Sequence, residues 1–226
     1  MKRLVWVVVV LVVLAVVADF GAKLLVENLA ARALSSRRGV TGSVDVSFGG
    51  FPFLLALKDH SFENVTIGAE NVRSGAFTTG SGVAPGSEAR LKSVRLELED
   101  VTIEGDVWRD DGKGRVSAAS GGGSATLSQS DLNRMVPAEN AARLTLRDGT
   151  IRVAVTAPQL GTQEVEVAED QVRLESGSLV IEAPAPVGAL TIPLPTLVDG
   201  VIFETLDVRR GALDLTFTLR EVNLEL

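Results

Sequence analysis

Along most of this chain apolar residues recur at every second position. Val44, Val46 and Phe48 alternate with Asp45 and Ser47, and Val94, Leu96 and Leu98 alternate with Arg95, Glu97 and Glu99. The same period runs through Ile151, Val153 and Val155, then Val165 and Val167, Val172 and Leu174, and Leu179 and Ile181. It closes with Leu213, Leu215, Phe217 and Leu219. A period of two predicts half-buried strands, apolar on one face and charged on the other. Turn pairs stand between the runs at Asp111-Gly112, Asp148-Gly149, Ser176-Gly177 and Arg210-Gly211. No helical crossover segments separate the runs, so antiparallel pairing is expected. Twice the parity changes: Leu98 is followed by Val101 and Ile103, and Leu219 by Val222, Leu224 and Leu226. Each change is either a strand end or a bulge that absorbs one residue and bends the sheet.

The N-terminal segment follows another rule. Lys2 and Arg3 precede an unbroken apolar run over residues 4–18, which Asp19 ends. As a helix those 15 residues span about 22 Å, against a hydrocarbon core of about 30 Å. A basic start before such a run is an export signal, with Lys2 and Arg3 held on the cytoplasmic side. Two fates stay open: cleavage after Ala18, or retention as a signal anchor. Helical spacing continues through Phe20, Leu24 and Asn28 and through Leu25, Leu29 and Ala33, with Gly39 as a stop. One helix of about 33 residues is expected, half in the membrane and half outside. The expected division is residues 1–19 as signal anchor or signal peptide and 20–226 as one domain on the extracytoplasmic face of the cytoplasmic membrane. Ser128-Gln129-Ser130-Asp131 has the form of a capping box for a short helix ending before Pro137. Residues 196–203 are expected to add another helical turn or two. Residues 74–90 and 117–124, rich in Gly, Ser and Thr, are expected to be long mobile loops.

Composition narrows the chemistry. The chain of 226 residues carries a net charge of −7, has no Cys and has a single His, His60. Disulfides, thiolate metal sites and multi-His metal sites are thereby excluded, and a Ser-His-Asp triad would have to use His60. The negative balance argues against nucleic acid as a partner. No nucleophile elbow, P-loop or zinc-protease motif is present. The expectation is therefore a non-enzyme without metal or cofactor. A lipid hydrolase acting through His60 or a carboxylate pair is the weakest alternative.

Four of the eight phenylalanines fall between positions 48 and 62. The stretch FGGFPFLLAL at residues 48–57 is too apolar for a solvated loop. It reads as a buried corner behind the first strand or as the lip of an apolar groove, and both can hold. The export helix with its acidic break, GGFPFL at 49–54, then Phe62, Val65, Thr66 and Ile67, resemble the LmeA-like phospholipid-binding family of actinobacterial envelopes. TLSQSDLN at 126–133 is similar to that family's strand-to-helix junction. The resemblance implies an extracytoplasmic phospholipid-binding protein that supports envelope glycolipid assembly. It also implies an α+β fold: a long N-terminal helix along a bent, mostly antiparallel sheet, elongated and similar to tubular (BPI-like) lipid-binding folds. Acyl chains are then expected in a groove between helix and sheet. Its candidate lining residues are Leu25, Leu29, Phe48, Phe51, Phe53, Leu54 and Phe62, with Phe203 and Phe217 further along the chain. Arg32, Arg37 and Arg38 are candidates for phosphate head groups. Expected partners are phospholipid, the cytoplasmic membrane and an envelope glycosyltransferase. The alternative function is an accessory subunit of a membrane-bound envelope enzyme.

Overall fold

A computed structural model describes residues 2–35, 41–73, 90–105, 114–137, 142–157, 161–185, 187–195 and 200–225. The N-terminal apolar and helical spacings merge into one helix, α1 (Lys2–Ser35). It is followed by β1 (Val44–Phe48), a short helix α2 (Phe53–Asp59), and the long strands β2 (Ser61–Arg73), β3 (Arg90–Gly105) and β4 (Gly114–Ser128). A second short helix, α3 (Gln129–Met135), leads into β5 (Ala142–Arg147), β6 (Thr150–Ala157) and β7 (Gly161–Ala168). A 3-10 turn (Glu169–Gln171) opens β8 (Val172–Glu175), β9 (Ser178–Glu182) and β10 (Ala189–Pro193), and β11 (Val201–Arg209) and β12 (Ala212–Glu225) end the chain. The fold is α+β and its strand pairing is antiparallel. A six-stranded sheet has the order β1-β2-β3-β4-β12-β11, and two three-stranded sheets have the orders β5-β6-β7 and β10-β9-β8.

Two-residue turns join β5 to β6, β8 to β9 and β11 to β12, at the Asp148-Gly149, Ser176-Gly177 and Arg210-Gly211 pairs. Asp111-Gly112 lies outside the described residues, as do residues 74–89 of the first expected loop. The second expected loop is a correction: residues 117–124 lie within β4, between β3 and β12. Its glycines are there because the sheet closes on that strand. A Cβ on Gly123 would collide with the Arg95 carbonyl oxygen and sit 2.8 Å from the Phe217 ring. One on Gly121 would lie 2.9 Å from the Glu97 carbonyl oxygen and from Leu98 Cδ2. A run that reads as flexible is thus the place where only glycine fits. The expected helix over 196–203 is also corrected, since Val201 to Phe203 pair with β12 as strand. Residues 196–199 lie outside the described set.

Both parity changes are interruptions of the ladder, and they fall on one row. Leu98 pairs with Gly121 and Gly121 with Leu219, whereas Val101 pairs with Ala118 and Ala118 with Val222. The flanking pairs keep the same register, so no strand gains a residue over its neighbour. Instead Asp100 and Glu221 both take left-handed backbone, each with φ of 51°. Leu98, Val101, Leu219 and Val222 are all buried, so the apolar face stays inward through the turn. The row continues into β2, where Phe62 pairs with Val101 and Asn64 with Glu99 around the interrupted Glu63. The expectation of a strand end or a single-strand bulge is corrected to one interruption, or crease, that crosses β2, β3, β4 and β12 with register kept on both sides.

The β5–β7 sheet joins this one through α3 and the β11–β12 turn, and the β8–β10 sheet through contacts of β8 with β11. Ser128 caps α3 by accepting from the Asp131 N–H at 3.2 Å, as the capping pattern predicts. Asn133 then donates to the Leu144 carbonyl and accepts from the Leu144 N–H, at 2.8 and 2.7 Å. Gln129 Oε1 accepts from the Leu146 N–H at 2.8 Å. Helix α3 therefore satisfies backbone groups of β5 as a neighbouring strand would, while Leu132 enters the core.

Gly123→Ala is expected to destabilise the protein by about 2 kcal/mol or more, since the added methyl meets backbone rather than a flexible side chain. Gly68→Ala, whose nearest neighbour would be 3.8 Å away, is expected to stay within about 1 kcal/mol of wild type. Thermal or denaturant unfolding of both variants checks the contrast.

Candidate functional site

The aromatic segment folds as two things at once. Phe48 ends β1, Phe53 opens α2 and Phe62 begins β2, and the three rings meet with centroids 4.7 to 5.9 Å apart. All three are buried, and they lock the corner between β1, α2 and β2. Phe51, Leu54 and Leu55 point the other way and are 68%, 43% and 56% exposed. The sequence FPFLL thus alternates between a core anchor and an apolar surface.

Helix α2 is only seven residues long, too short to stand alone. Its N-cap position is Pro52, which has no side-chain acceptor for the first free N–H groups. That acceptor comes from α1. Asp19 Oδ2 accepts from the Phe53 N–H at 2.9 Å and Oδ1 from the Leu54 N–H at 2.7 Å. Asp19 itself is 6% exposed. The acidic residue that ends the apolar run is therefore the cap of a helix 34 residues further along. Glu27, two turns on, accepts from the Phe48 N–H at 3.0 Å and pairs with Lys23 at 3.8 Å. The C-terminal end of α2 closes on His60, which is exposed and left-handed, with φ of 52°. Its position is that of a helix stop.

Between these polar ties Ala22 and Val26 of α1 pack against the core, and beyond them Ala30, Ala31 and Leu34 do so too. These side chains lie on the face where the acyl groove between helix and sheet is expected. The free apolar surface is on the helix's other side: Phe20, Leu24, Leu25 and Leu29 are 52% to 67% exposed. Of the residues expected to line a groove, Leu25, Leu29, Phe51 and Leu54 are thus at the surface, and Phe48, Phe53 and Phe62 are core. Phe217 is buried and Phe203 packs against it across β11 and β12, their centroids 6.0 Å apart. Arg32 is exposed in the last turn of α1, and Arg37 and Arg38 lie outside the described residues. A separate open cleft of about 620 Å³ has a mixed lining, with Glu169, Asp170, Arg173 and Glu204 beside Val172, Leu174 and Leu206. It does not include any of the candidate residues.

Sequence reasoning missed the roles of Asp19 and Glu27. The signal was present, because a carboxylate within an apolar helix face is costly unless donors meet it.

The family model described as LmeA-like phospholipid-binding matches residues 17–225. The chain belongs to that family. No curated protein and no solved structure matches it, and the likeness to tubular lipid-binding folds stays an expectation from sequence. Membership in the LmeA-like family supports phospholipid binding by this chain. The matched span takes in Asp19, the FPFLL corner and the α3 junction, so the ties just described lie within the family's own region. Among the described residues no helix is long and apolar enough to cross a membrane. From Leu11 to Leu14, however, each side chain is 55% to 59% exposed whichever way it points, so α1 projects from the folded body there.

Asp19→Ala is expected to cost about 1–3 kcal/mol by leaving two amides of α2 without an acceptor. Asp45→Ala, on the exposed face of β1, is expected to cost less than about 0.5 kcal/mol. Paired denaturant melts measure the difference.

Proposed function

We propose that this protein is an extracytoplasmic, membrane-anchored phospholipid-binding protein of the cell envelope. In this reading residues 4–18 lie in the cytoplasmic membrane, with Lys2 and Arg3 on its cytoplasmic side. A helix that is apolar on all sides has no stable place in water, which favours the bilayer as its surroundings. The phospholipid lies with an acyl chain along the exposed stripe of Phe20, Leu24, Leu25 and Leu29. That stripe continues the apolar run without a break, so a lipid can leave the bilayer along it without crossing water. From Phe20 to Leu29 the helix rises about 14 Å. About ten methylenes half covered over that length would contribute roughly 4 kcal/mol before ordering costs. This suits a lipid held for transfer or presentation, and an envelope glycosyltransferase that extends a lipid-linked glycan is the partner such a lipid would serve.

The observation that carries the reading is the exposed stripe in a chain of phospholipid-binding family. Full-length protein, extracted from bacterial membranes and exchanged into a phospholipid-free detergent, is expected to retain a phospholipid adduct in native mass spectrometry. Leu25→Glu together with Leu29→Glu is expected to lose the adduct while the melting temperature stays close to wild type. Retention of the adduct at wild-type occupancy by that variant would overturn the stripe as the lipid's seat.

A further inference from the structure

The exposed face of α2 has no assigned role in lipid holding. We propose that this face, made by Phe51, Leu54 and Leu55, seats in the head-group boundary of the bilayer beside the point where α1 enters it. The inference rests on the membrane placement of residues 4–18 proposed above, and it adds a second, separate contact.

Three observations fix the occupant as a bilayer rather than another protein. The first is position. Asp19 is the earliest residue of α1 seen to be tied to the body, and its carboxylate holds the Phe53 and Leu54 amides at 2.9 and 2.7 Å. Helix α2 therefore lies at the level where the apolar rod leaves the protein. A membrane that takes up the rod as far as Ala18 comes level with the N-terminus of α2.

The second is continuity. The exposed apolar side chains of Leu14, Val17 and Phe20 lead directly to that level, and Phe51, Leu54 and Leu55 are exposed beside it. The inward residue of the same segment, Phe53, is buried with Phe48 and Phe62. The outward residues are thus mounted on a packed corner, not on a loose loop.

The third is length. Residues 4–18 span about 22 Å as a helix, about 8 Å short of the hydrocarbon core. A short span draws its flanking residues toward the bilayer. Here the flank is Phe20 and α2, both apolar, so the deficit is met by pulling the base of the body onto the membrane. The seat sets the orientation of the sheet relative to the bilayer. It places the start of the Phe20–Leu29 stripe at the membrane surface.

The chain has no cysteine, so single cysteines can be introduced without removing any. Leu14→Cys, Leu54→Cys, Leu55→Cys and Ser47→Cys would each carry an environment-sensitive fluorophore. The labelled full-length chains are reconstituted in vesicles of phosphatidylcholine and phosphatidylglycerol, with a nitroxide near the top of the lipid acyl chains. Ser47 is exposed on the outward face of β1 and serves as the water reference. Labels at 14, 54 and 55 are expected to be quenched by the nitroxide about threefold or more over the label at 47. Quenching at 14 with aqueous behaviour at both 54 and 55 would overturn the seat while leaving the anchor intact. Aqueous behaviour at 14 would overturn the anchor and the seat with it. Phospholipid retention is read separately by mass, so loss of either result does not decide the other.

Discussion

A carboxylate buried in an otherwise apolar helix is what joins the two parts of this molecule. Without Asp19, the end of α1 nearest the apolar rod would lose its polar tie to the body, leaving Glu27 two turns further along to set the helix's height. The Phe53 and Leu54 amides define that height, since only one helical turn brings the carboxylate to both. Glu27 repeats the device against the Phe48 amide two turns later. Two backbone-directed carboxylates on one helix face restrain its sliding as well as its rotation. Charge-assisted bonds of this kind are each worth roughly 1.5–3 kcal/mol when buried.

The sheet meets a different constraint. Four neighbouring strands must turn together if one face is to stay inward, because a change in one strand alone would set its side chains against its neighbours' pairing. The left-handed residues Asp100 and Glu221 are at the same level, and β4 between them has little side chain to resist the closure. This is why polar and glycine residues occupy positions that a simple alternating strand would give to valine. The crease and the Asp19 tie both adjoin the Phe48–Phe53–Phe62 corner, the first through the pairing of Phe62 with Val101 and the second through the Phe53 amide.

Much of this architecture is legible in the sequence. The period of two gives the strands, the turn pairs give three hairpins, and the parity changes mark where the alternation is interrupted. The capping pattern at Ser128 gives α3. What misleads is residue type taken without neighbours. GGG at 121–123 looks like a hinge, because composition cannot show that a carbonyl oxygen and a phenyl ring occupy the space a Cβ would need. Phe53 and Leu54 divide into core and surface because α2 is helical there, with its side chains distributed around an axis. Neither a strand period nor a helix of this length announces itself in FPFLLAL. Asp19 looks like the end of a hydrophobic segment; a carboxylate there signals that donors must meet it, but the sequence does not show that they are the Phe53 and Leu54 amides.

The functional account depends on a rigid connection between the apolar rod and the lipid-binding body. Lipid on the outer stripe, and α2 at the membrane, both follow only if α1 is held at one height. Residue-resolved hydrogen exchange at the Phe53 and Leu54 amides, in full-length protein in nanodiscs, tests that connection most directly. The account predicts that both amides exchange as slowly as those of the central strands, and that Asp19→Ala speeds exchange at these two while leaving β3 unchanged. Fast exchange at Phe53 and Leu54 in the wild-type chain, or rates indifferent to the substitution, would contradict it.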